Sequence, residues 1–128
     1  MGINMIAAVA AGGALGAVAR YMLNIQIGHW AGTGFPWHTL AVNIIGCAIM
    51  GVLTELFALT WSPSLELRVF LTVGVLGGFT TFSAFSLDAM LLMERNAWVP
   101  AFAYIAGSVL LSLAGFFVGM RLVRLVMV

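Results

Sequence analysis

The chain has 128 residues, of which 63% are hydrophobic and only 7% charged, with a net charge of +1. Soluble domains carry about 25% charged residues, and so few charges cannot cover a water-facing surface, so the composition indicates an integral membrane protein. All five basic residues are arginines, scattered along the chain. That excludes a nucleic-acid patch or a polybasic lipid site, and the single Cys47 excludes a disulfide framework or a cysteine metal cluster.

A membrane helix needs about 20 mostly apolar residues. Ile3 to Leu23 is the first such stretch, and it reads as a retained span rather than a cleaved leader, because no basic start or cleavage pattern precedes it. A loop is expected from Asn24 to His38, where Gly28, Gly32, Gly34 and Pro36 fall. The second span is expected over 39–60, followed by the turn Trp61-Ser62-Pro63-Ser64. The third covers 66–93 and is broken off by Glu94-Arg95-Asn96. The fourth covers 97–120 and ends at Arg121 and Arg124. Trp30, Trp37, Trp61 and Trp98 all fall in loops or at span ends, as aromatic belts do. The fold class is therefore an all-α membrane domain of four spans occupying the whole chain.

Three glycine pairs, Gly12/Gly16, Gly74/Gly78 and Gly115/Gly119, each lie four apart on one helix face. Such small-xxx-small faces let membrane helices approach closely. Orientation is nearly undecided: Arg68, Arg121 and Arg124 fall on the side of the termini, and Arg20 and Arg95 on the other. Orientation follows a Lys/Arg difference between sides. Three against two predicts a chain that inserts both ways and pairs as an antiparallel homodimer. Four helices alone also enclose little room for a pore.

The polar residues inside the spans are mostly donors. Asn43 lies a turn inside the second span. Thr80, Thr81, Ser83 and Ser86 crowd the third, and Tyr104, Ser108 and Ser112 form one stripe of the fourth, rising about 6 Å per step. Hydroxyl and amide hydrogens solvate anions. Arg20, near the end of the first span, adds positive potential or snorkels to the interface. Each serine has an ordinary alternative, a bond to the carbonyl one turn back. Cys47 reads as packing, and His29 and His38 as interfacial residues. No carboxylate stands at the middle of a span, Glu55 and Asp88 being nearest to doing so. That argues against proton-coupled or cation transport.

The run Gly77-Gly78-Phe79-Thr80-Thr81-Phe82-Ser83-Ala84-Phe85-Ser86 stands apart from all this. Two glycines, four hydroxyls and three phenylalanines inside an apolar span suit a helix broken near Gly77–Thr81, packed on protein or lining a wet path. A ring has a positive edge, which can touch a dehydrated anion. The break frees backbone carbonyls, which suit a cation.

With this run, with Gly16-Ala17-Val18-Ala19-Arg20-Tyr21, and with Thr39-Leu40-Ala41-Val42-Asn43, the chain resembles the CrcB/Fluc family of fluoride channels along its whole length. The resemblance implies a dual-topology antiparallel homodimer in the cell inner membrane that passively exports fluoride. It implies a path lined by Phe82, Phe85, Asn43, Ser83, Tyr104, Ser108 and Ser112, with Arg20 near a vestibule. It also implies a structural sodium ion on the carbonyls of Gly77 and Thr80 from both subunits. Ala84 stands where the family run commonly has threonine, and Asp88 where it commonly has glutamate. The competing readings are a small proton-driven multidrug exporter, which should carry a carboxylate in its first span, and a non-transporting scaffold subunit. No nucleophile–base pair points to an enzyme.

Overall fold

The computed structural model describes residues 2–128. Four helical stretches are long and apolar enough to cross a membrane: Ile3–Ala31, Trp37–Leu59, Leu65–Glu94 and Trp98–Met127. We label the first two α1 and α2, the halves of the third α3 (65–79) and α4 (Phe82–Glu94), and the last α5.

Two spans are longer than expected. The expected loop over 24–38 shrinks to Gly32–Pro36, because α1 continues to Ala31 before Gly32 turns the chain with φ +78°. Gly28, taken as a loop residue, is helical, and so is His29. A glycine and polar residues do not end a helix whose other turns are apolar; the left-handed turn and Pro36 do. The fourth span does not stop at Met120 but runs on to Met127, since arginine is a good helix former and its charge ends the apolar stretch without ending the helix.

The third span breaks inside the expected stretch. It starts on Ser64, whose hydroxyl accepts the Leu67 N–H at 3.2 Å. Over Phe70–Leu76 it widens into a π-helical turn, so that the Gly77 N–H reaches the Thr72 carbonyl. One further turn, Gly77–Phe79, ends where Thr80 and Thr81 become extended. A new helix then starts at Phe82, capped by the Thr81 hydroxyl, which accepts the Ala84 N–H at 3.1 Å.

Glycine faces set the packing. α1 lies along α3, and α2 along α5. A methyl group at Gly12 would stand 2.5 Å from the Phe70 carbonyl, and one at Gly74 would stand 2.9 Å from the Gly12 Cα. Backbone thus meets backbone on the two faces that the spacing of Gly12/Gly16 and Gly74/Gly78 marks. Gly119 likewise approaches the Ala48 carbonyl. Gly51 against Phe116 and Gly46 against Thr80 make equally close approaches, and these two lie outside any four-residue pair that the sequence shows.

At one end Arg95 ties the short loop down, Nη2 donating to the Gly34 carbonyl at 2.9 Å. Trp30, Trp37 and Trp98 gather at that same end, at the end of α1 and the starts of α2 and α5. At the other, Arg124 of α5 pairs with Glu55 of α2 at 3.1 Å. Glu55 is only 4% exposed.

Candidate functional site

The site is built around the break. In an unbroken helix each N–H bonds the carbonyl four residues back. The Thr81 N–H goes instead to Asn43 Oδ1 at 2.8 Å, and Asn43 Nδ2 donates to the Thr81 carbonyl at 3.0 Å. The carbonyl of Gly77, four residues before Thr81, loses its helical partner by this exchange. Thr80 keeps a tie to the first half, its hydroxyl donating to the Leu76 carbonyl at 2.9 Å. Its methyl group fills the place of a side chain at Gly46 of α2.

Arg20 also meets the break. Its Nε donates to the Gly78 carbonyl at 3.2 Å. The residue lies well inside α1 rather than near a span end, because α1 runs on to Ala31. Its Nε is spent on the helix break.

Beside the break lies a cavity of about 320 Å³, lined by Asn43 and Cys47 of α2, Thr80, Thr81, Phe82 and Phe85, and Ser108 and Ser112 of α5. Six of the residues expected along the path, and Thr80, expected to offer its carbonyl to sodium, thus lie at one cavity or its wall. Asn43, Phe82, Phe85, Ser108, Ser112 and Thr80 line it, and Tyr104 stands behind Phe85, ring centroids 5.2 Å apart. Phe82 and Phe85 lie 5.4 Å apart, tilted by 49°. They differ sharply in setting: Phe85 is 9% exposed and Phe82 is 77% exposed.

The serine stripe divides in use. Tyr104, fully buried, gives its hydroxyl to Asp88 Oδ2 at 3.1 Å. Ser108 is 6% exposed, and its Oγ is buried with no partner among the described residues. A serine hydroxyl normally returns to its own helix, as Ser86 does to the Phe82 carbonyl at 3.0 Å. Ser108, a residue of the cavity lining, makes no such bond. Ser83 stands apart: it is exposed, and its hydroxyl meets that of Thr81 at 3.3 Å. Gly77 is exposed on the flank of the break, away from the cavity lining.

Sequence reading missed Cys47 as a lining residue. The signal was its spacing, one helical turn after Asn43 on α2. The arrangement offers an open space whose lining joins an amide and several hydroxyls with Phe82, Phe85, Val109 and Leu113, and holds no carboxylate. Chemically it suits a small anion.

A family model described as "CrcB-like protein, Camphor Resistance (CrcB)" matches residues 7–120. The chain belongs to the CrcB family. Members of the CrcB family with high identity include a protein of Rhodospirillum centenum named "Fluoride-specific ion channel FluC". It is 59% identical over 122 residues, covering 95% of this chain and 97% of that protein. Proteins of the same name from Nitrobacter winogradskyi (50% identical; 96% of this chain, 98% of that protein) and Agrobacterium fabrum (51%; 93% and 95%) match over similar lengths. The match reaches all four helices.

Proposed function

We propose that this chain is a passive fluoride channel of the cell inner membrane that relieves fluoride toxicity by exporting the anion. The observation that carries the reading is the cavity, whose lining joins Asn43, Thr80, Thr81, Ser108 and Ser112 with Phe82 and Phe85. The buried hydroxyl of Ser108, unpartnered within the chain, supports it most directly: an anion passing there supplies the acceptor that the protein withholds. The names of the relatives, fluoride-specific ion channels, agree in substance with this chemistry.

Neutral hydrogen fluoride crosses lipid and dissociates inside, where the anion is trapped. An inside-negative potential drives the anion out through a channel with about 2.3 kcal/mol per 100 mV. Closely spaced donors replace the hydration shell of a small ion, and a narrow path rejects larger halides. Ring edges of Phe82 and Phe85 attract the anion without holding it tightly.

We infer an antiparallel homodimer as the working unit. Phe82 is an exposed ring at the edge of an open cavity, and a second chain covering it completes the wall. The sparse and scattered arginines are compatible with insertion in both directions. The exposed, unpartnered carbonyl region at Gly77, next to that of Thr80, fits a structural sodium ion shared between two chains: carbonyl oxygens are hard donors, and a hard cation prefers them. A sodium ion there would pin the two breaks together and supply positive charge to their centre. The residues of this chain hold the break itself, through Asn43, Thr81 and Arg20.

Efflux from liposomes containing only the purified protein tests the function. Rapid fluoride loss with chloride retained is expected. Vesicles that hold fluoride, or that release chloride equally fast, would overturn the reading.

A further inference from the structure

A second cavity, of about 280 Å³, lies beyond Phe85. It is lined by Thr33, Gly34 and Pro36 of the short loop, by His38, and by Asp88, Glu94 and Arg95 with two leucines between them. Two elements step from the first cavity into this one. On α4, Phe85 lines the first and Asp88, one turn later, lines the second. On α2, Asn43 lines the first and His38, earlier in the same helix, lines the second. Between them stand the buried Thr39 and Tyr104, the latter bonded to Asp88. The second cavity sits at the end marked by Trp30, Trp37 and Trp98, and we call it the mouth cavity.

The charges at this mouth are mixed. Asp88 and Glu94 bring two carboxylates and Arg95 one guanidinium, and part of that guanidinium is spent on the Gly34 carbonyl. With His38 neutral, the lining carries a formal charge of −1, which repels an anion. With His38 protonated, the lining is neutral and presents two cationic donors. Histidine is the side chain that ordinarily changes charge between about pH 5 and pH 8; free carboxyl groups titrate below that range. From α5 the hydroxyl of Tyr104 reaches Asp88, and α1 brings His29 near this end without its lining the cavity. The half-buried imidazole of His38 is thus the group whose charge decides the sign of the mouth.

We propose that this mouth cavity is an antechamber for fluoride whose occupancy His38 controls, so that the anion is admitted more readily in acid. The inference rests on the fluoride-channel reading. It also has a chemical logic: acid converts more fluoride to the neutral acid that crosses lipid, and the exit then opens as the load rises.

The test is the fluoride current through planar bilayers, since neutral hydrogen fluoride carries none. At low ionic strength, where screening is weak, the wild-type conductance should rise about two-fold or more from about pH 8 to about pH 5. His38→Gln should hold the low conductance of alkaline pH throughout, and His38→Lys the high one. His29→Gln should keep the wild-type pH response. A wild-type conductance that does not change with pH would overturn the proposal, as would a full response surviving in His38→Gln, or one lost in His29→Gln. Fluoride current present at both pH values with no such response sinks the antechamber alone; no current from folded protein at either pH sinks the channel reading with it.

Discussion

Asn43 holds both the N–H and the carbonyl of Thr81, at 2.8 and 3.0 Å. One side-chain amide thereby replaces, at the break in the third span, the backbone bonds that a continuous helix would make. It also stands in the lining of the cavity. The residue that holds the break and a residue that lines the cavity are the same one.

Asn43→Ala removes both bonds and leaves two backbone groups unpaired away from bulk water. A stability loss of about 2 kcal/mol or more is expected, read by thermal unfolding in detergent, together with a fall in fluoride efflux of about ten-fold or more. Asn43→Asp keeps the acceptor for the N–H but sets an oxygen against the Thr81 carbonyl and a charge beside the path. It should unfold at a temperature nearer wild type than Asn43→Ala does, yet conduct no better.

The two phenylalanines should separate in stability and converge in function. Phe85 is buried against Tyr104, so Phe85→Ala should cost about 3 kcal/mol. Phe82, exposed in the single chain, should cost under about 1 kcal/mol when replaced by isoleucine. Both Phe82→Ile and Phe85→Ile should cripple fluoride efflux from liposomes while the protein still elutes as one folded species. Wild-type efflux in both would remove the rings from the path.

Gly16 and Gly13 make a matched pair of substitutions. A methyl group at Gly16 meets the Val75 carbonyl, whereas one at Gly13 meets nothing within 4 Å. Gly16→Ala must push α1 off α3 and should cost about 1–3 kcal/mol. Gly13→Ala should be neutral or stabilising by up to about 1 kcal/mol, as alanine is in a helix interior. Circular dichroism melts of the two variants decide it.

The Glu55–Arg124 pair joins α2 to α5 with one partner buried and the other half exposed. Arg124→Leu leaves a carboxylate uncompensated in the interior, and a loss of about 3–5 kcal/mol is expected. Adding Glu55→Gln should recover most of it, so that the double variant is more stable than Arg124→Leu alone. Equal melting of the single and double variants would show that the pair does not couple.

The number of spans, the glycine faces of α1 and α3, and the place of the break were legible because each rests on local chemistry. Apolar length sets a span, a four-residue spacing sets a face, and hydroxyls beside paired glycines weaken a helix where they stand. The ends of α1 and α5 were not legible, since polar residues outside the apolar stretch continue a helix without announcing it. Nor did the sequence show Gly46 against Thr80 or Gly51 against Phe116, contacts between single residues with no repeat to betray them.

By itself the order of residues determined a four-span membrane protein carrying a donor-rich, carboxylate-poor set of polar groups. Which of these groups meet was decided only by the tertiary structure. Asn43 and Thr81, or Asp88 and Tyr104, are brought together by helices packed backbone to backbone, and His38 reaches the second cavity because α2 and α4 run past the same two cavities in opposite directions. Hydrophobic length acts one segment at a time. The pairing of polar groups depends on the rotation and depth of neighbouring helices, which no single segment contains.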